Sequence, residues 1–252
     1  MRVWIAFWNI LLKDMRNYYL KPPNISWGII FPFAWTLMFF LKSDTAVDIR
    51  GILPGVMAMS ILFGTTSMLA VTITFERRSR SFDRLLLAPL SLNMLMLAKT
   101  SGAILFGIVN AFLPVVFAVL ITDLSGVAWL PVLGSVLLIA VSSTFLALFI
   151  AVSAKEVFEA QTFSNFFRFP MIFLCGLFIP ITSLPAIIRP LAYVIPLTYG
   201  ADILKTAING EGHLTLWLNF LAQIGFSLIL FSFSLKLIKN KWILWGRSLY
   251  FI

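Results

Sequence analysis

Long apolar runs dominate the chain and are separated by short polar or proline-rich segments. The runs lie at about residues 24–41, 51–75, 95–121, 130–153, 166–179 and 214–238. A helix of about 20 residues, rising 1.5 Å per residue, crosses the hydrocarbon core of a bilayer. The pattern therefore predicts an all-α membrane protein with six transmembrane helices.

The segment before the first run has a different pattern. Its polar residues Arg2, Asn9, Lys13 and Arg16 recur at helical spacing, with tryptophan, phenylalanine and leucine between them. This predicts an amphipathic helix at residues 3–20 that lies in the membrane interface. The prolines at 22–23 should end it, because proline donates no backbone hydrogen bond and disfavours helix in the residue before it.

The segments between the runs set the expected organisation. They are a loop at 42–50, a charged block at 76–84, a turn at 123–126, polar stretches at 154–165 and 209–212, and a proline-punctuated region at 180–199. We predict one membrane domain over residues 1–252. It comprises a connecting helix at 1–23, the six spans within 24–238 and a tail at 239–252, with no cleavable signal peptide.

Lysine and arginine are distributed unevenly among these segments. When basic residues outside these segments are counted with the nearest one, the four segments on one side carry four, five, two and four, and the other side carries the remaining four of 19. Basic residues concentrate in cytoplasmic loops. We therefore predict a multi-pass protein of the cell (inner or plasma) membrane with both termini in the cytoplasm.

The overall composition agrees with a membrane location. The chain is 60% hydrophobic and 12% charged, whereas soluble domains carry about 25% charged residues. The net charge of +9 is explained by topology and by contact with membrane lipid. We expect no nucleic-acid partner.

The interiors of the six predicted spans are expected to contain no aspartate, glutamate, lysine, arginine or histidine. Proton- or ion-coupled carriers usually need ionisable groups at membrane depth. The polar groups singled out in the spans are hydroxyls and one amide, which we expect to join helices rather than line a substrate path. They are Thr65, Thr66, Ser67, Thr72, Asn110, Ser142, Ser143 and Thr144.

Signatures of chemistry are missing from the sequence. No segment matches the phosphate-binding pattern G-x-x-x-x-G-K-[ST] or the nucleophile pattern G-x-S-x-G. One histidine, His213, and one cysteine, Cys175, offer no metal-ligand set. We predict no catalytic residue, no metal site and no cofactor in this chain, so the energy for directed work must come from a partner.

The segment after the second run contains a short amphipathic helix. Phe82, Leu85, Leu86 and Pro89 fall at positions i, i+3, i+4 and i+7, which places them on one face. Exposed apolar anchors of this kind fit a groove on another protein. A basic helix resting on anionic lipid head groups explains the same pattern, and the residues alone leave both readings open.

The same segment resembles the cytoplasmic signature of type-2 ATP-binding-cassette (ABC) exporter permeases. The resemblance to this family extends over essentially the whole chain. In that family an acidic–basic pair leaves the second span and a stretch (E/D)-(R/E)-L-L-x-x-P-(L/I) follows. The matching residues are Phe75-Glu76-Arg77-Arg78, Phe82-Asp83-Arg84-Leu85-Leu86-Leu87-Ala88-Pro89-Leu90 and, later, Gly176, Pro180, Leu184-Pro185 and Pro196-Leu197-Thr198-Tyr199. Asp83 and Lys205 stand where glutamate and arginine are commoner in the family.

The resemblance implies a homodimer of permeases with two separate cytoplasmic ATPase subunits, which bind ATP and Mg. It implies a cytoplasmic coupling helix, and short re-entrant helices before the last span that cap the exit. The implied ATPase-coupling residues are Glu76, Arg77, Arg78, Phe82, Asp83, Arg84, Leu85, Leu86, Pro89, Glu156 and Glu159. The implied exit residues are Gly176, Pro180, Pro185, Pro196 and Tyr199.

The expected activity is export of a hydrophobic or amphipathic substrate, such as a drug, a lipid or a glycolipid-like compound. The fifth run is rich in phenylalanine, which fits either an aromatic substrate cavity or ordinary helix packing. Two other functions remain open: a membrane scaffold whose basic loops bind anionic lipid, and an intramembrane enzyme acting on lipids. The missing carboxylate pair and histidine dyad disfavour the enzyme.

Overall fold

The computed structural model describes residues 2–42, 48–87 and 90–244, and within these ranges every regular element is a helix. The α-helices are α1 (Arg2–Asp14), α2 (Pro22–Ile25), α3 (Phe31–Lys42), α4 (Ile49–Arg78), α5 (Ser81–Leu86), α6 (Leu92–Ile121), α7 (Trp129–Ser153), α8 (Val157–Leu174), α9 (Arg189–Val194), α10 (Pro196–Asn209) and α11 (Leu216–Ile238). Shorter π- or 3₁₀-helical segments lie at Met15–Tyr19, Ser26–Ile30, Ile181–Ser183 and Lys239–Leu244. The all-helical prediction is confirmed for the described part of the chain.

Helix α4 is the centre of the bundle. Its most apolar 18-residue window is 94% buried inside the protein, compared with 22% for the last long helix. It packs against α6, α7, α8 and α10. A helix that is apolar on every side must be enclosed by others, and α4 has little polar surface outside its last turn.

Four helices of the described chain are long and apolar enough to cross a membrane: α4, α6, α7 and the helix over Leu216–Trp242. They correspond to the predicted second, third, fourth and sixth spans. The predicted first span at 24–41 falls on α2, the Ser26–Ile30 segment and α3, and the predicted fifth falls largely on α8. Neither of these two meets the same criterion of length and composition.

Contacts between distant residues place the helix ends in two groups. One group is here called the basic end. It contains Lys13 of α1, Arg78 at the end of α4, Lys99 near the start of α6, Glu156 before α8 and Trp242 after α11. At the opposite end, Arg50 at the start of α4 donates to the carbonyl of Ile208 in α10. The amide of Ala128 before α7 donates to Ala207. Neighbouring long helices therefore run antiparallel.

Helix α1 is amphipathic, as predicted. Ile10, Leu11 and Asp14 are buried, whereas Trp4 and Trp8 are 61% and 55% exposed. The helical path continues through Met15–Tyr19 and is broken at residues 20–21. The break was predicted, but the prolines form the first turn of α2 instead of lying in the break. In the first turn of a helix the missing N–H of proline costs no hydrogen bond.

Helix α8 differs from its prediction. It begins at Val157 and ends at Leu174, so most of the polar stretch 154–165 is helix and not loop, and the run to residue 179 is not helical throughout. The sequence masked this because glutamine, threonine, serine and asparagine in the first half break up the apolar pattern. Two of these side chains are used inside the bundle, since Ser164 is buried and Gln161 hydrogen-bonds to Ser67 of α4.

The region 180–199 is built from short helices, as predicted. The Ile181–Ser183 turn, α9 and the first turn of α10 cover it, and α10 continues beyond it to Asn209. Pro196 stands in the first turn of α10, where proline is favoured. Gly210 ends α10 with φ of 76°, a left-handed conformation that glycine adopts without strain.

The expectation that the predicted spans contain no ionisable side chain is wrong. Lys99 lies in the second turn of α6 and Arg168 in α8, and these side chains are 0% and 1% exposed. Both positions fall within the predicted third and fifth runs, although the count of basic residues had grouped them with the adjoining polar segments. Both are instead enclosed by partners that are distant in sequence.

Candidate functional site

The basic end contains a buried network of four charged side chains. The Lys99 ammonium Nζ donates to Glu76 Oε2 and lies 3.0 Å from Asp14 Oδ2. Lys13 Nζ donates to Glu76 Oε1 at 2.7 Å and lies 3.2 Å from Asp14 Oδ1. The two carboxylates and two ammonium groups therefore alternate around one cluster that joins α1, α4 and α6.

Three of the four side chains have almost no access to solvent. Lys99 and Glu76 are fully buried and Asp14 is 1% exposed, whereas the Lys13 side chain is 37% exposed. Two negative and two positive charges cancel, so the cluster can be buried without a net charge. Loss of one member leaves an uncompensated buried charge, which costs about 3–5 kcal/mol.

The surroundings shift the pKa values of the two α1 residues. Burial raises the pKa of the Asp14 carboxyl above its ordinary value; the positive charges of Lys99 and Lys13 oppose this rise, and the negative charge of Glu76 adds to it. Burial alone would lower the pKa of Lys13, but its hydrogen bond to Glu76 and the nearby carboxylates raise it above the ordinary value. Lys13 is therefore held in its charged form.

Glu76 was predicted to contact an ATPase, and the structure places it inside the protein. Its carboxylate accepts from Lys13 and Lys99 and is 0% exposed. Glu76 therefore links α1, α4 and α6, and in this conformation it presents no surface to a partner. Sequence reasoning missed its two lysine partners, which are 63 and 23 residues away.

Helix α5 packs its apolar face onto the protein itself. Phe82 is 1% exposed, and its ring meets Trp242 edge to face with centroids 5.1 Å apart. Leu85 and Leu86 are half-buried against the core. Phe82 is therefore not a free apolar anchor in this structure, and Leu85 and Leu86 are only partly exposed. The spacing of the three residues on one helical face is as predicted, and their contact with an ATPase stays a prediction.

The opposite face of α5 is exposed. Asp83 and Arg84 lie on it, and Leu87, just past the last turn, is 86% exposed. Arg80 turns the chain between α4 and α5 with φ of 56°. Pro89 lies outside the described residues. The surface that α5 offers is thus mainly charged, with Leu87 as its apolar contact.

A second predicted contact lies beside α5. Arg78 Nη1 and Glu156 Oε1 form an exposed ion pair at 2.9 Å, which joins the end of α4 to the segment before α8. A cleft of about 360 Å³ lies between Arg77, Arg78, Lys155 and Glu156. Arg77 stacks over the ring of Trp242 at 4.8 Å. The predicted grouping of residues 76–86 with 154–159 at one end is therefore present in the structure.

Glu159, the other predicted member of this contact, serves its own helix. It lies in the first turn of α8 and accepts the backbone N–H of Lys155 at 2.6 Å. A carboxylate at a helix N-terminus stabilises the unpaired amides there. Glu159 is half-buried, so Arg78, Lys155 and Glu156 form the outer surface of this contact.

The predicted exit residues lie at the opposite end. Gly176 is buried with φ of 83°, and its carbonyl accepts from Lys205 Nζ. Tyr199 donates its hydroxyl to the carbonyl of Tyr193 at 2.7 Å. Arg189 donates to the carbonyl of Thr182 at 2.7 Å. These contacts tie the short helices to one another, and the contacted carbonyls are ones that the broken helices leave unpaired.

Pro180 and Pro185 are exposed on this end, and Pro196 is half-buried. The prolines lie at the junctions between the short helical pieces, where a residue without a backbone donor fits. Their positions agree with the predicted punctuation of the region. Their role at an exit stays a prediction.

Asp202 of α10 is an organising residue that sequence reasoning missed. It is 8% exposed and accepts from the backbone amides of His213 and Leu214 at 2.9 and 3.0 Å, and from Asn219 Nδ2 at 2.7 Å. The carboxylate holds the loop that leads into α11. Asp202 lies in α10 and its partner Asn219 lies in α11, so no local sequence pattern indicates that the two side chains pair.

Arg168 of α8 is a second buried cation, and it lies apart from the four-charge network. Its Nε donates to Thr66 Oγ1 at 3.1 Å, and its Nη2 donates to Ser67 Oγ. The guanidinium carbon lies 4.0 Å from the centroid of the Phe63 ring. Among the described residues Arg168 has no acidic partner.

The other interior polar residues are buried, as expected for groups that join helices. Ser142 of α7 accepts from Gln223 of α11 at 2.9 Å, which is a contact between helices. Thr65 and Thr66 donate instead to carbonyls of their own helix, at Ile61 and Leu62. The described residues contain no group of three histidine, cysteine, aspartate or glutamate side chains placed to hold a metal ion.

Several long apolar helices around one core, with charge concentrated at one end, define a multi-pass helical membrane protein. The chain belongs to the ABC-2 type transporter family, which it matches over residues 5–208. It is therefore the membrane subunit of an ABC transporter, a class that works with an ATPase partner.

The chain is similar to named permeases of Escherichia coli, Shigella flexneri and Bacillus subtilis. It is 22% identical over 208 residues to the inner membrane transport permease YadH of Escherichia coli K12, covering 78% of this chain and 80% of that one. YadH of Shigella flexneri matches equally. The ABC transporter permease protein NatB of Bacillus subtilis is 26% identical over 151 residues, or 53% of this chain and 39% of NatB.

Proposed function

We propose that this chain is the permease of an ATP-driven exporter that moves a hydrophobic or amphipathic substrate. Two copies would form the membrane part, and two ATPase subunits, which hold ATP and Mg, would dock at the basic end. The proposal rests chiefly on the buried network of Lys13, Asp14, Glu76 and Lys99. This network fixes α1, α4 and α6 together directly beside the exposed face of α5.

The position of the network supports a role in transmitting movement from a docked ATPase to the long helices. The segment from Glu76 to Ser81 is short, and Ser79 and Ser81 both donate to the carbonyl of Glu76. A force applied to α5 therefore reaches the last turn of α4 without a flexible linker. Because α4 contacts α6, α7, α8 and α10, a tilt of the end of α4 would displace most of the bundle.

The orientation follows from charge. Arg77, Arg78, Lys155 and Lys241 gather around two clefts at the basic end, and basic residues favour the cytoplasmic side. We therefore propose that α1, α5 and both termini lie in the cytoplasm and that the short helices α9 and α10 lie at the outer side. With the antiparallel order of the helices, six crossings would result.

The test uses the chain produced together with the ATPase encoded beside its gene. The complex is purified in mild detergent, and its ATPase activity is measured. Leu87→Asp changes a side chain that is 86% exposed on α5, and Ile187→Asp changes one that is 91% exposed at the opposite end. We expect the Leu87 variant to lose the co-purified ATPase and the Ile187 variant to retain it. Equal retention in both variants would contradict docking at α5 and favour the scaffold function.

A further inference from the structure

A cavity of about 280 Å³ opens between α4, α8 and Tyr18 of the Met15–Tyr19 segment. Its walls include the apolar side chains of Phe63, Met68, Val71 and Phe75, together with Ser67 and Gln161. Small-molecule sites have volumes upward from about 300 Å³ and combine an apolar lining with a few placed polar groups. The cavity has this composition and nearly this size.

Two of the polar side chains that line the cavity, Ser67 and Gln161, are connected to the buried guanidinium of Arg168. Ser67 Oγ accepts from Arg168 Nη2 and from Gln161 Nε2, the latter at 3.1 Å. Phe63 forms part of the cavity wall and carries the guanidinium on its ring face. The positive charge of Arg168 therefore lies directly behind two wall residues.

The hydrogen-bonding capacity of Ser67 sets the kind of ligand. A hydroxyl has two acceptor lone pairs and one donor hydrogen. Both lone pairs of Ser67 are occupied by donors, and among the described residues its own hydrogen has no acceptor. The cavity thus presents a hydroxyl donor that is polarised by a cation, which suits a ligand atom that accepts and carries negative charge.

The charge balance points in the same direction. A buried cation without an anion is unfavourable in a low-dielectric interior. The four-charge network at the basic end is neutral within itself, so it supplies no spare carboxylate to Arg168. An anion in the cavity would compensate Arg168 and leave an apolar body against Phe63, Met68 and Phe75.

We infer that the cavity between α4 and α8 binds the anionic group, a carboxylate or a phosphate, of an amphipathic molecule. The source of this group is either the transported substrate or a resident anionic phospholipid. The inference refines the proposed export function, but binding is a property of the permease alone and is measured without the ATPase.

The experiment measures equilibrium binding of radiolabelled dodecanoate to the purified permease in dodecyl maltoside, with unlabelled dodecyl phosphate and dodecanol as competitors. The two alkyl anions should compete at least about tenfold better than the neutral alcohol. Equal competition by dodecanol would overturn the inference. Because the ATPase is absent, failure here leaves the docking proposal standing, and failure of docking leaves this result standing.

Three variants locate the site. Arg168→Gln and Ser67→Ala should each lower dodecanoate affinity, by about tenfold and about threefold or more. Ser142→Ala is the matched control, since Ser142 is also a buried serine that accepts from a glutamine. Should Arg168→Gln fail to elute as a folded protein, Ser67→Ala decides. Binding by Ser67→Ala equal to that by Ser142→Ala would overturn the assignment.

Two further measurements separate the sources of the anion. A bound anionic phospholipid that co-purifies with the wild type and is missing from Ser67→Ala identifies a resident lipid. Stimulation of the partner ATPase by dodecanoate in vesicles of neutral phosphatidylcholine identifies a transported anion. Either result supports an anionic ligand at Arg168.

Discussion

Lys99 and Glu76 are both fully buried, and the ammonium of the first donates to the carboxylate of the second. Their pairing fixes the second turn of α6 against the last turn of α4. Asp14 and Lys13 of α1 complete a neutral cluster around them. Helix α4, which ends at the basic end, and helix α6, which begins there, are thus joined at one point beside α5.

The first prediction concerns this pair. Lys99→Met should lower the free energy of unfolding by about 3–5 kcal/mol, because two buried carboxylates then face a single lysine. The double variant Lys99→Met/Glu76→Gln should be less destabilised than Lys99→Met alone, since Lys13 and Asp14 remain balanced. Unfolding followed by circular dichroism in dodecyl maltoside with rising SDS measures both.

Lys155→Met serves as the control, because Lys155 is exposed outside the cluster. It should unfold like the wild type. A double variant as unstable as the sum of its single variants would show that the two residues act independently.

The second prediction concerns the exposed pair of Arg78 and Glu156. Surface ion pairs contribute about 0–1 kcal/mol, so Arg78→Glu should leave the free energy of unfolding nearly unchanged. It should nonetheless reduce the amount of ATPase that co-purifies, since it reverses a charge at the proposed docking surface. A large loss of stability, measured as above, would mean that the pair is structural.

The third prediction concerns Asp202. Asp202→Ala removes an acceptor shared by three donors at the start of α11 and should cost about 3 kcal/mol. Asp123→Ala is the control, because Asp123 accepts only from its neighbour Ser125 in the described structure, in an exposed turn at the same end. Thermal unfolding should separate the two variants clearly, and similar midpoints would refute the role given to Asp202.

The fourth prediction contrasts two glycines. A Cβ at Gly200 of α10 would lie 2.3 Å from Ile139 Cγ1 of α7, whereas a Cβ at Gly225 of α11 meets nothing within 4 Å. Gly200→Ala should therefore destabilise by about 1–3 kcal/mol. Gly225→Ala should stabilise by up to about 1 kcal/mol, the difference in helix propensity. The opposite order of unfolding midpoints would show that α7 and α10 are packed less closely.

The long helices could be predicted because apolar length alone specifies them. The predicted second, third, fourth and sixth spans begin within three residues of α4, α6, α7 and α11. Helix α8 could not be placed equally well, because its polar first half contributes Ser164 and Gln161 to the bundle interior. Polar residues that pair inside a protein look like loop residues in a sequence.

The sequence indicated one apolar face of α5 but not the contacts that this face makes. The spacing of Phe82, Leu85 and Leu86 correctly indicated one apolar face, yet a sequence does not reveal which surface covers that face. Here it is Trp242, 160 positions away from Phe82 in the chain. The burial of Arg168 was missed for a related reason, since its hydrogen-bond partners, Thr66 and Ser67, lie about 100 residues earlier.

The proposed function depends most directly on docking of the exposed side of α5 on the ATPase. Cys175 is the chain's one cysteine and is buried, so a cysteine placed at Leu87 supplies a single accessible thiol. In membranes that contain both proteins, a thiol-reactive photocrosslinker at Leu87→Cys should join the permease to the ATPase, and the same reagent at Ile187→Cys should not. No crosslink at position 87, or equal crosslinks at both positions, would contradict the account.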